Sequence, residues 1–303
     1  MTPTLVRHHP SRADSAPDAP DCADLGARAR DWSEIQERML VPLHETVYER
    51  LDVGPGTRLL GLRCGSGLAL LLAASRGAAV TGADSCPERL ALARERLLPD
   101  TPPPQGARTR GAVRILGDIR DDCGAAEAAT DAADDAEAEA EAYTVVTVFE
   151  PIGCRAGDAE DLAELLATAL PQAAPGAAVV LAGWGPPERC ATSGVLRVAT
   201  KPAGPPRGAR AWRPARHDDL EEVAQRAGLR PDGSGRVACP FGYADLGSAV
   251  RGLLSTGLFD GAVAATGRRQ VDKELTEALR PHRRADGTVW MPNVFRYLIA
   301  RVP

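Results

Sequence analysis

The sequence predicts an α/β fold with a mostly parallel sheet. Short apolar segments alternate with longer amphipathic ones over most of the 303 residues, which is the pattern of strands alternating with helices. Crossovers between parallel strands in such a chain are right-handed. The length suits one large domain, or a domain with a small accessory lobe, and is enough to bury a core without disulfides or metals.

The first two strand and helix units have the clearest boundaries. Residues 57–62 form an apolar run that ends in a glycine-rich turn, and the apolar helix at 68–75 follows. Residues 79–83 form the second strand, which ends at Asp84, and a helix follows at 87–98. We therefore expect two consecutive βα units whose strand ends lie close together.

The remaining elements continue this alternation. Runs of β-branched and apolar residues predict strands, and apolar residues that recur every three or four positions predict helices. The strands are predicted at 112–116, 143–149, 177–183, 236–241 and 293–301, and the helices at 31–51, 158–170, 217–229 and, as two or three segments, between 246 and 279.

Composition divides the chain into regions. Residues 1–28 carry Pro, Asp, Ser and Ala without a period, which predicts a disordered N-terminal arm. Residues 29–183 hold the βα core, within which residues 121–142 alternate acids with alanine and have no apolar stripe. We interpret that segment as a solvated insertion without a role in chemistry. Residues 184–303 begin with a segment rich in Pro and Gly, and are predicted to supply a helical lid, pocket helices and the final strands of the same domain.

Charge and hydropathy argue against several classes of partner. The net charge is −5, but nine acids lie in 121–142, and the rest of the chain would carry +4 without them. A body so close to neutral lacks the basic face of a nucleic-acid-binding protein. No apolar run is long enough for a membrane span, and the first twenty residues lack the apolar core of a signal peptide, so we expect a cytoplasmic protein without a membrane partner. The cysteine and histidine spacings predict no metal site.

A glycine loop and a carboxylate indicate a nucleoside-containing cofactor. Gly65 and Gly67 follow the first strand, where ligands of open α/β sheets bind, and they permit close approach of a ligand to the backbone. Asp84 stands at the tip of the second strand, where a carboxylate can accept hydrogen bonds from both hydroxyls of a ribose. A nicotinamide fingerprint needs a third glycine where this chain has Leu70, and no Walker A loop is present.

On these residues the chain resembles the class I S-adenosylmethionine-dependent methyltransferases, especially the small-molecule type related to the ubiquinone and menaquinone C-methyltransferases. The matching stretches are VGPGT at 53–57, LLGLRCGSG at 59–67, VTGADS at 80–85, GDI at 117–119 and, more loosely, VVTVFEP at 145–151. The resemblance implies a Rossmann-like fold with a seven-stranded sheet, an antiparallel last strand and a helical lid. It also implies S-adenosylmethionine as the cofactor.

The resemblance assigns roles position by position. The loop that faces the methionine part of the donor corresponds to Gly61, Arg63, Cys64, Gly65, Ser66 and Gly67. Asp84, with Ser85 beside it, would take the ribose hydroxyls, Asp118 would meet the adenine amino group and Ile119 would pack on the adenine ring. Phe149 and Glu150 would line the methyl-transfer region, and Glu150 is the candidate catalytic residue for acceptor contact.

Two positions depart from the family pattern. The family usually has an acidic residue where this chain has Gly61, and a glycine where it has Arg63. An arginine beside a cationic sulfonium weakens binding unless its side chain points to solvent or pairs with the donor's carboxylate. The alternative to an active enzyme is therefore a catalytically impaired, donor-binding relative that acts as a binding or regulatory subunit.

The distribution of aromatic residues indicates the acceptor. Eight of the twelve aromatic residues stand at or after Trp184, and this enrichment predicts an apolar pocket built by the lid and the later helices. We expect a small, partly hydrophobic metabolite as acceptor, methylated on O, N or C in secondary metabolism, and a monomer or homodimer. His44 and Tyr48 share a helix face, where they either project over the cofactor or pack in the core.

Overall fold

One sheet organises the molecule. The computed structural model describes residues 22–98, 112–117, 119, 142–200 and 213–303. The strands are β1 (Arg58–Leu62), β2 (Ala79–Ala83), β3 (Val113–Leu116), β4 (Tyr143–Ile152), β5 (Ala173–Trp184), β6 (Arg230–Ala238), β7 (Phe241–Tyr243), β8 (Val289–Met291) and β9 (Val294–Arg301). Seven of them form a sheet of order β3-β2-β1-β4-β5-β9-β6, and β7 pairs with β8 in a two-stranded sheet.

The pairing confirms the predicted fold class. β1 runs parallel to β2 and to β4, β2 runs parallel to β3, and β4 runs parallel to β5. β9 is the last strand of the chain and lies antiparallel between β5 and β6. A mostly parallel seven-stranded sheet with an antiparallel last strand is the α/β fold of the class I methyltransferase type that the sequence predicts.

Helices cover both faces of this sheet. They are α1 (Cys22–Asp31), α2 (Val41–Arg50), α3 (Leu68–Ser75), α4 (Pro87–Leu97), α5 (Asp158–Ala169), α6 (Thr192–Leu196), α7 (Asp219–Arg226), α8 (Leu246–Ser255), α9 (Asp260–Thr266) and α10 (Arg268–Leu279). Successive strand residues enter opposite apolar clusters, as Leu59 and Leu60 of β1 do. Within the described ranges no helix has the length and apolar character needed to span a bilayer.

The N-terminal segment corrects one prediction. Residues 22–28 belong to α1 and are not disordered, although composition predicts disorder for 1–28. α1 is held in place because Arg28 pairs with Asp260 of α9 at 2.9 Å and Ala29 is buried. A π-helical turn (Trp32–Gln36) and a 3-10 turn (Glu37–Leu40) join α1 to α2. Residues 22–50 are called the N-terminal cover below. Residues 1–21 and, apart from Ala142, the acidic segment 121–142 lie outside the described residues.

A pair of glycines seats α3 on the sheet. Gly61 of β1 and Gly82 of β2 are opposite each other in the parallel register. A Cβ added to Gly61 would stand 2.7 Å from Cδ2 of Leu70, and one added to Gly82 would stand 2.4 Å from its Cδ1. Leu70 of α3 therefore fills the space that a side chain at position 61 would need.

The end of β5 depends on another glycine. The Gly185 N–H donates to the Val294 carbonyl at 2.9 Å, and a Cβ at Gly185 would come within 2.3 Å of that oxygen. The obstacle is backbone and cannot turn away. We predict that Gly185→Ala lowers the free energy of unfolding by about 1–3 kcal/mol, measured by urea denaturation.

A matched control is Gly261→Ala. Gly261 lies in α9, and nothing is within 4 Å of a Cβ added there. We expect this variant to be neutral or to gain about 0.5–1 kcal/mol, because alanine costs less backbone entropy than glycine in a helix. Equal effects of the two substitutions would contradict the assigned backbone clash.

Candidate cofactor site

The turn after β1 uses left-handed backbone at three positions. φ is +50° at Arg63, +59° at Gly65 and +79° at Gly67. Glycine adopts this conformation without a steric penalty, whereas Arg63 carries a Cβ and is disfavoured there by about 1–2 kcal/mol. Arg63 therefore has the backbone conformation that favours glycine, at the position where the resembling family usually has glycine.

Asp84 ties this loop to the second βα unit. Its side chain is buried at the carboxyl end of β2, and the residue is 8% exposed. Oδ2 accepts a hydrogen bond from the Gly65 N–H at 2.8 Å, and Oδ1 accepts one from the Cys86 N–H at 2.8 Å. An ionised carboxylate has about four acceptor positions, so each oxygen keeps one for a ligand hydroxyl.

An ion pair with a buried carboxylate holds the glycine loop in place. Glu37 of the N-terminal cover is 5% exposed and pairs with Arg96 of α4 at 2.9 Å. The Ser66 hydroxyl donates to the Glu37 carboxylate, and Arg96 donates to the carbonyl and hydroxyl oxygens of Ser66 at 2.9 and 2.8 Å. Ser33 completes the network through a 2.8 Å contact with the Ser66 hydroxyl. The predicted site residue Ser66 therefore holds the loop in place instead of facing a cavity.

Trp32 covers the glycine loop. A Cβ on Gly65 would lie 2.2 Å from Cη2 of the indole, so the ring occupies the space that a side chain at position 65 would need. The Arg89 guanidinium stacks on the indole, with its Cζ 4.1 Å from a ring centroid of Trp32. Gly67 is likewise packed, against Ala93 and Leu97 of α4. Gly65 and Gly67 are therefore buried, against Trp32 and α4 respectively, and do not line either cavity.

Two cavities open at the carboxyl ends of β1, β2 and β4. The polar cavity measures about 390 Å³ and includes Asp84, Ser85 and Cys86 in its wall. The aromatic cavity measures about 130 Å³ and includes Gly61, Phe149 and Trp184. Six residues line both and mark the junction: Arg63, Arg89, Glu150, Arg155, Asp158 and Thr256.

An ion pair stands at this junction. Nη1 of Arg63 lies 3.7 Å from Oε2 of Glu150, and the two side chains are 26% and 43% exposed. The pair joins the glycine loop after β1 to the C-terminal part of β4. Because both side chains are accessible from the cavities, either can exchange its partner for a charged group of a ligand.

The loop after β4 is anchored at its far end. Asp158 begins α5, and its Oδ2 accepts hydrogen bonds from the Gly153 N–H at 2.7 Å and the Arg155 N–H at 3.1 Å. Arg213 pairs with Asp158 at 3.3 Å and with Asp219 of α7 at 2.8 Å. These bonds fix the segment that carries Arg155 along the cavity wall.

The structure brings together only part of the predicted site. Arg63, Asp84, Ser85 and Glu150 line the polar cavity, and Gly61, Arg63, Cys64, Phe149 and Glu150 line the aromatic one. Ile119 is 2% exposed and belongs to the apolar cluster that includes Leu60 and Leu62, and its contact with adenine stays a prediction. Asp118 lies outside the described residues. Burial raises the pKa of Cys64, so this thiol is protonated at neutral pH, as expected of a small loop residue.

His44 is a further residue of the aromatic cavity. It lies in the cavity wall, with its ring centroid 4.5 Å from that of Phe149. The residue is 2% exposed, and within the described part of the chain its Nδ1 has no hydrogen-bond partner. Burial lowers its pKa to about 3, so the imidazole is neutral at physiological pH. The helix face that it shares with Tyr48 was the sequence signal for this position.

The burial of His44 predicts a pH dependence of stability. Between about pH 6.5 and pH 3 the unfolded chain binds a proton at His44 that the folded chain does not bind. Stability therefore falls as the pH falls through this window, by up to about 1.4 kcal/mol per pH unit. We expect His44→Phe to remove this component, so that urea denaturation at pH 7, 6 and 5 gives a shallower slope for the variant.

The control for this measurement is His217→Gln, because His217 is exposed. This variant should retain the slope of the parent protein. Identical pH slopes for His44→Phe and the parent protein would contradict the burial of a neutral imidazole.

Comparisons with known proteins give structural likenesses only. No family model matches the chain, and no curated protein matches it. It is similar to a SAM-dependent methyltransferase from Thiobacillus denitrificans in complex with S-adenosyl-L-homocysteine, at 16% identity over 94% of this chain and 100% of that chain, with a TM-score of 0.48. It is also similar to a SAM-dependent methyltransferase from Geobacter sulfurreducens in complex with S-adenosyl-L-homocysteine, at 17% identity over 90% of this chain and 98% of that chain, with a TM-score of 0.43. YjhP from E. coli is 18% identical over 91% of this chain and 99% of that chain, with a TM-score of 0.46.

Proposed function

We propose that this chain is a class I methyltransferase, related to the quinone C-methyltransferases, which uses S-adenosylmethionine to methylate a small, partly hydrophobic metabolite. One observation carries the proposal. The Asp84 carboxylate, at the end of β2, lines a polar cavity of about 390 Å³. Beside the glycine loop, this cavity meets an aromatic cavity of about 130 Å³. Such an arrangement suits a nucleoside donor and an apolar acceptor that meet at the junction.

The residues at the polar end fit an adenosyl group. Asp84 faces this cavity with one acceptor position free on each carboxylate oxygen, which is the number that two ribose hydroxyls require. Ser85 is exposed beside it and adds a hydroxyl to the same wall. Because backbone N–H groups hold both oxygens of Asp84, the carboxylate is oriented before a ligand arrives.

Arg63 and Glu150 suit the junction of donor and acceptor. Arg63 can exchange part of its contact with Glu150 for the carboxylate of the donor's methionine part, since guanidinium groups bind carboxylates well. Glu150 would then face the acceptor from the end of β4, as the catalytic residue that the sequence analysis proposes. The N-terminal cover contributes Trp32, Leu40 and His44 to the cavity wall and excludes water there.

Methyl transfer needs little from the protein beyond this positioning. S-adenosylmethionine would supply, when bound, a methyl group whose carbon is activated by the sulfonium sulfur that leaves with the donor. The chain's own residues orient donor and acceptor in line and keep the reaction centre dry. Within the described residues no group of three or more His, Cys, Asp or Glu side chains is arranged to hold a metal ion.

A second candidate rests on Arg63 itself. Its side chain borders both cavities and occupies a loop position with a left-handed backbone. If the guanidinium keeps its contact with Glu150 in the presence of donor, the junction stays closed to an acceptor. The chain would then bind the donor as a regulatory or binding subunit without transferring the methyl group.

Asp84 provides the first test of donor binding. We predict that Asp84→Ala weakens S-adenosylhomocysteine binding by roughly tenfold to a hundredfold, measured by titration calorimetry, because two hydrogen bonds to a charged acceptor are lost. Glu88→Gln is the control, since Glu88 lies in the first turn of α4 and lines the same cavity. Thermal denaturation without ligand checks that both variants fold. Unchanged affinity in a folded Asp84→Ala variant would overturn the proposed cofactor site.

Arg63→Gly separates the two candidate functions. We predict that it weakens S-adenosylhomocysteine binding about tenfold and leaves 5′-methylthioadenosine binding unchanged, since the second ligand lacks the carboxylate that Arg63 would bind. The substitution also relieves the disfavoured backbone at this position, so the variant is expected to be at least as stable as the parent chain. Tighter binding of both ligands, or a gain of methyl transfer, would favour the impaired relative instead.

A further inference from the structure

The aromatic cavity has a wall built from mutually packed rings. Trp184 of β5, Phe241 of β7 and Phe295 of β9 line it, and the Trp184 ring lies 4.7 Å from that of Phe295 and 6.0 Å from that of Phe241. The two phenylalanines stack with centroids 5.9 Å apart. Phe149 of β4 lines the cavity near His44. Rings held in this way present a fixed surface that suits another planar ring.

The size of this cavity limits its occupant. Its volume is about 130 Å³. An apolar cavity of about 150 Å³ in another protein holds one benzene molecule. The space therefore accommodates one six-membered ring with small substituents, whereas a fused ring system would extend into the junction with the polar cavity, where the donor is proposed to lie.

The polar groups of the cavity favour an uncharged ligand. Each of its acidic side chains has a cationic partner: Glu37 with Arg96, Glu150 with Arg63 and Asp158 with Arg213. Even where Arg63 turns part of its contact to the donor's carboxylate, Glu150 stays beside that guanidinium, so among the described lining residues no carboxylate without a cationic neighbour is offered to an ammonium group. A cationic amine would be desolvated here without compensation.

His44 is the polar group that lacks a partner. A neutral imidazole has one bare nitrogen and one N–H, and buried polar atoms of this kind are normally hydrogen-bonded. The Nδ1 of His44 has no such bond in the described part of the molecule. Tyr48, one turn further along α2, donates its hydroxyl to the Ala69 carbonyl at 3.0 Å, so the same helix satisfies its other buried polar group.

We propose that the aromatic cavity binds a single-ring phenol, whose ring packs against Trp184, Phe241 and Phe295 and whose hydroxyl forms a hydrogen bond with the imidazole of His44. The phenol is the acceptor class of the proposed methyltransferase, so this inference rests on the proposed function. His44 binds and orients the acceptor. Methyl transfer to the phenol would break the methyl–sulfur bond of the donor as the new bond forms, leave S-adenosylhomocysteine and release the acceptor's proton through Glu150 at the junction to solvent. His44 does not hold that proton, because burial lowers the pKa of its imidazole to about 3.

The test is the binding of p-cresol to the whole protein saturated with S-adenosylhomocysteine, measured by titration calorimetry. Two reference ligands separate the elements of the proposal: 4-methylanisole has the same ring without the hydroxyl proton, and 2-naphthol has a second ring. We expect p-cresol to bind roughly tenfold more tightly than either, because the first lacks a hydrogen bond and the second exceeds the cavity.

The variant that tests His44 is His44→Phe. It should bind p-cresol and 4-methylanisole equally, so that the preference for the hydroxyl disappears, while S-adenosylhomocysteine affinity stays unchanged. His44→Gln serves as a second variant that keeps a polar group and should retain part of the preference, and His217→Gln is the exposed control. A purely structural role of His44 would change stability but would leave the ratio of the two affinities intact.

The outcomes distinguish this inference from the proposed function. If S-adenosylhomocysteine does not bind to the parent protein, the proposed function fails and the acceptor role fails with it. If S-adenosylhomocysteine binds but p-cresol does not, or if p-cresol binds equally to the parent protein and to both His44 variants, only the phenol site is overturned. Equal binding of p-cresol and 2-naphthol by the parent protein would overturn the single-ring limit.

Discussion

The carboxylate of Glu37 connects three parts of the chain that enclose the site. It belongs to the N-terminal cover, it pairs with Arg96 of α4, and it receives the hydroxyl hydrogen bond of Ser66 in the glycine loop. The Glu37 side chain is 5% exposed and that of Arg96 24%, so loss of Arg96 would leave a largely desolvated carboxylate and destabilise the fold. The cover, the loop and α4 are therefore fixed relative to one another. Both cavities depend on this arrangement, since each is walled by the cover on one side and by the strand ends on the other.

Much of the fold follows from local sequence. The inner parallel strands could be predicted because each is a short apolar run with a polar or glycine boundary, and β1 and β2 were predicted to within one residue at either end. β6 was predicted at 236–241, yet it spans Arg230–Ala238 and contains Pro, Asp and two Gly residues. Such a segment has low strand propensity and is extended because the edge of β9 supplies its hydrogen bonds. α1 was missed for a similar reason, since its helix is held by contacts with distant elements.

In the site, too, positions set by local sequence could be predicted, whereas contacts between distant residues could not. Asp84 and the loop glycines could be predicted, because a strand, a turn and a strand end have fixed spacing along the chain. Glu37 and Arg96 are 59 positions apart, and nothing in the sequence indicates that they form an ion pair. Trp32 was counted only as an apolar position of a helix, although its ring occupies the face of Gly65. Long-range pairs of this kind require the three-dimensional arrangement.

Two locally unfavourable features lie on the cavity walls. Arg63 has a left-handed backbone, and His44 is buried with an unpaired ring nitrogen. Elsewhere in the core, the hydroxyl of Tyr243 is buried and donates to the Gln36 side chain at 3.0 Å. Strain and unsatisfied groups persist where the surrounding structure holds them, and they concentrate at sites that bind ligands. Asp52 has the same left-handed backbone away from both cavities, so these features describe the wall, and the assignment of a ligand to it rests on the cavities themselves.

The position of Glu37 also bears on which nucleoside ligand the loop can accept. Its Oε1 lies 3.4 Å from the Leu68 N–H, at the N-terminus of α3. In dinucleotide-binding folds this helix terminus is the place of the pyrophosphate, which the backbone N–H groups and the helix dipole attract. Here the Glu37 carboxylate, which is already paired with Arg96, takes that place. A pyrophosphate would have to displace this side chain, which belongs to a residue that is only 5% exposed. The occupied helix terminus therefore argues against a dinucleotide, independently of the missing third glycine.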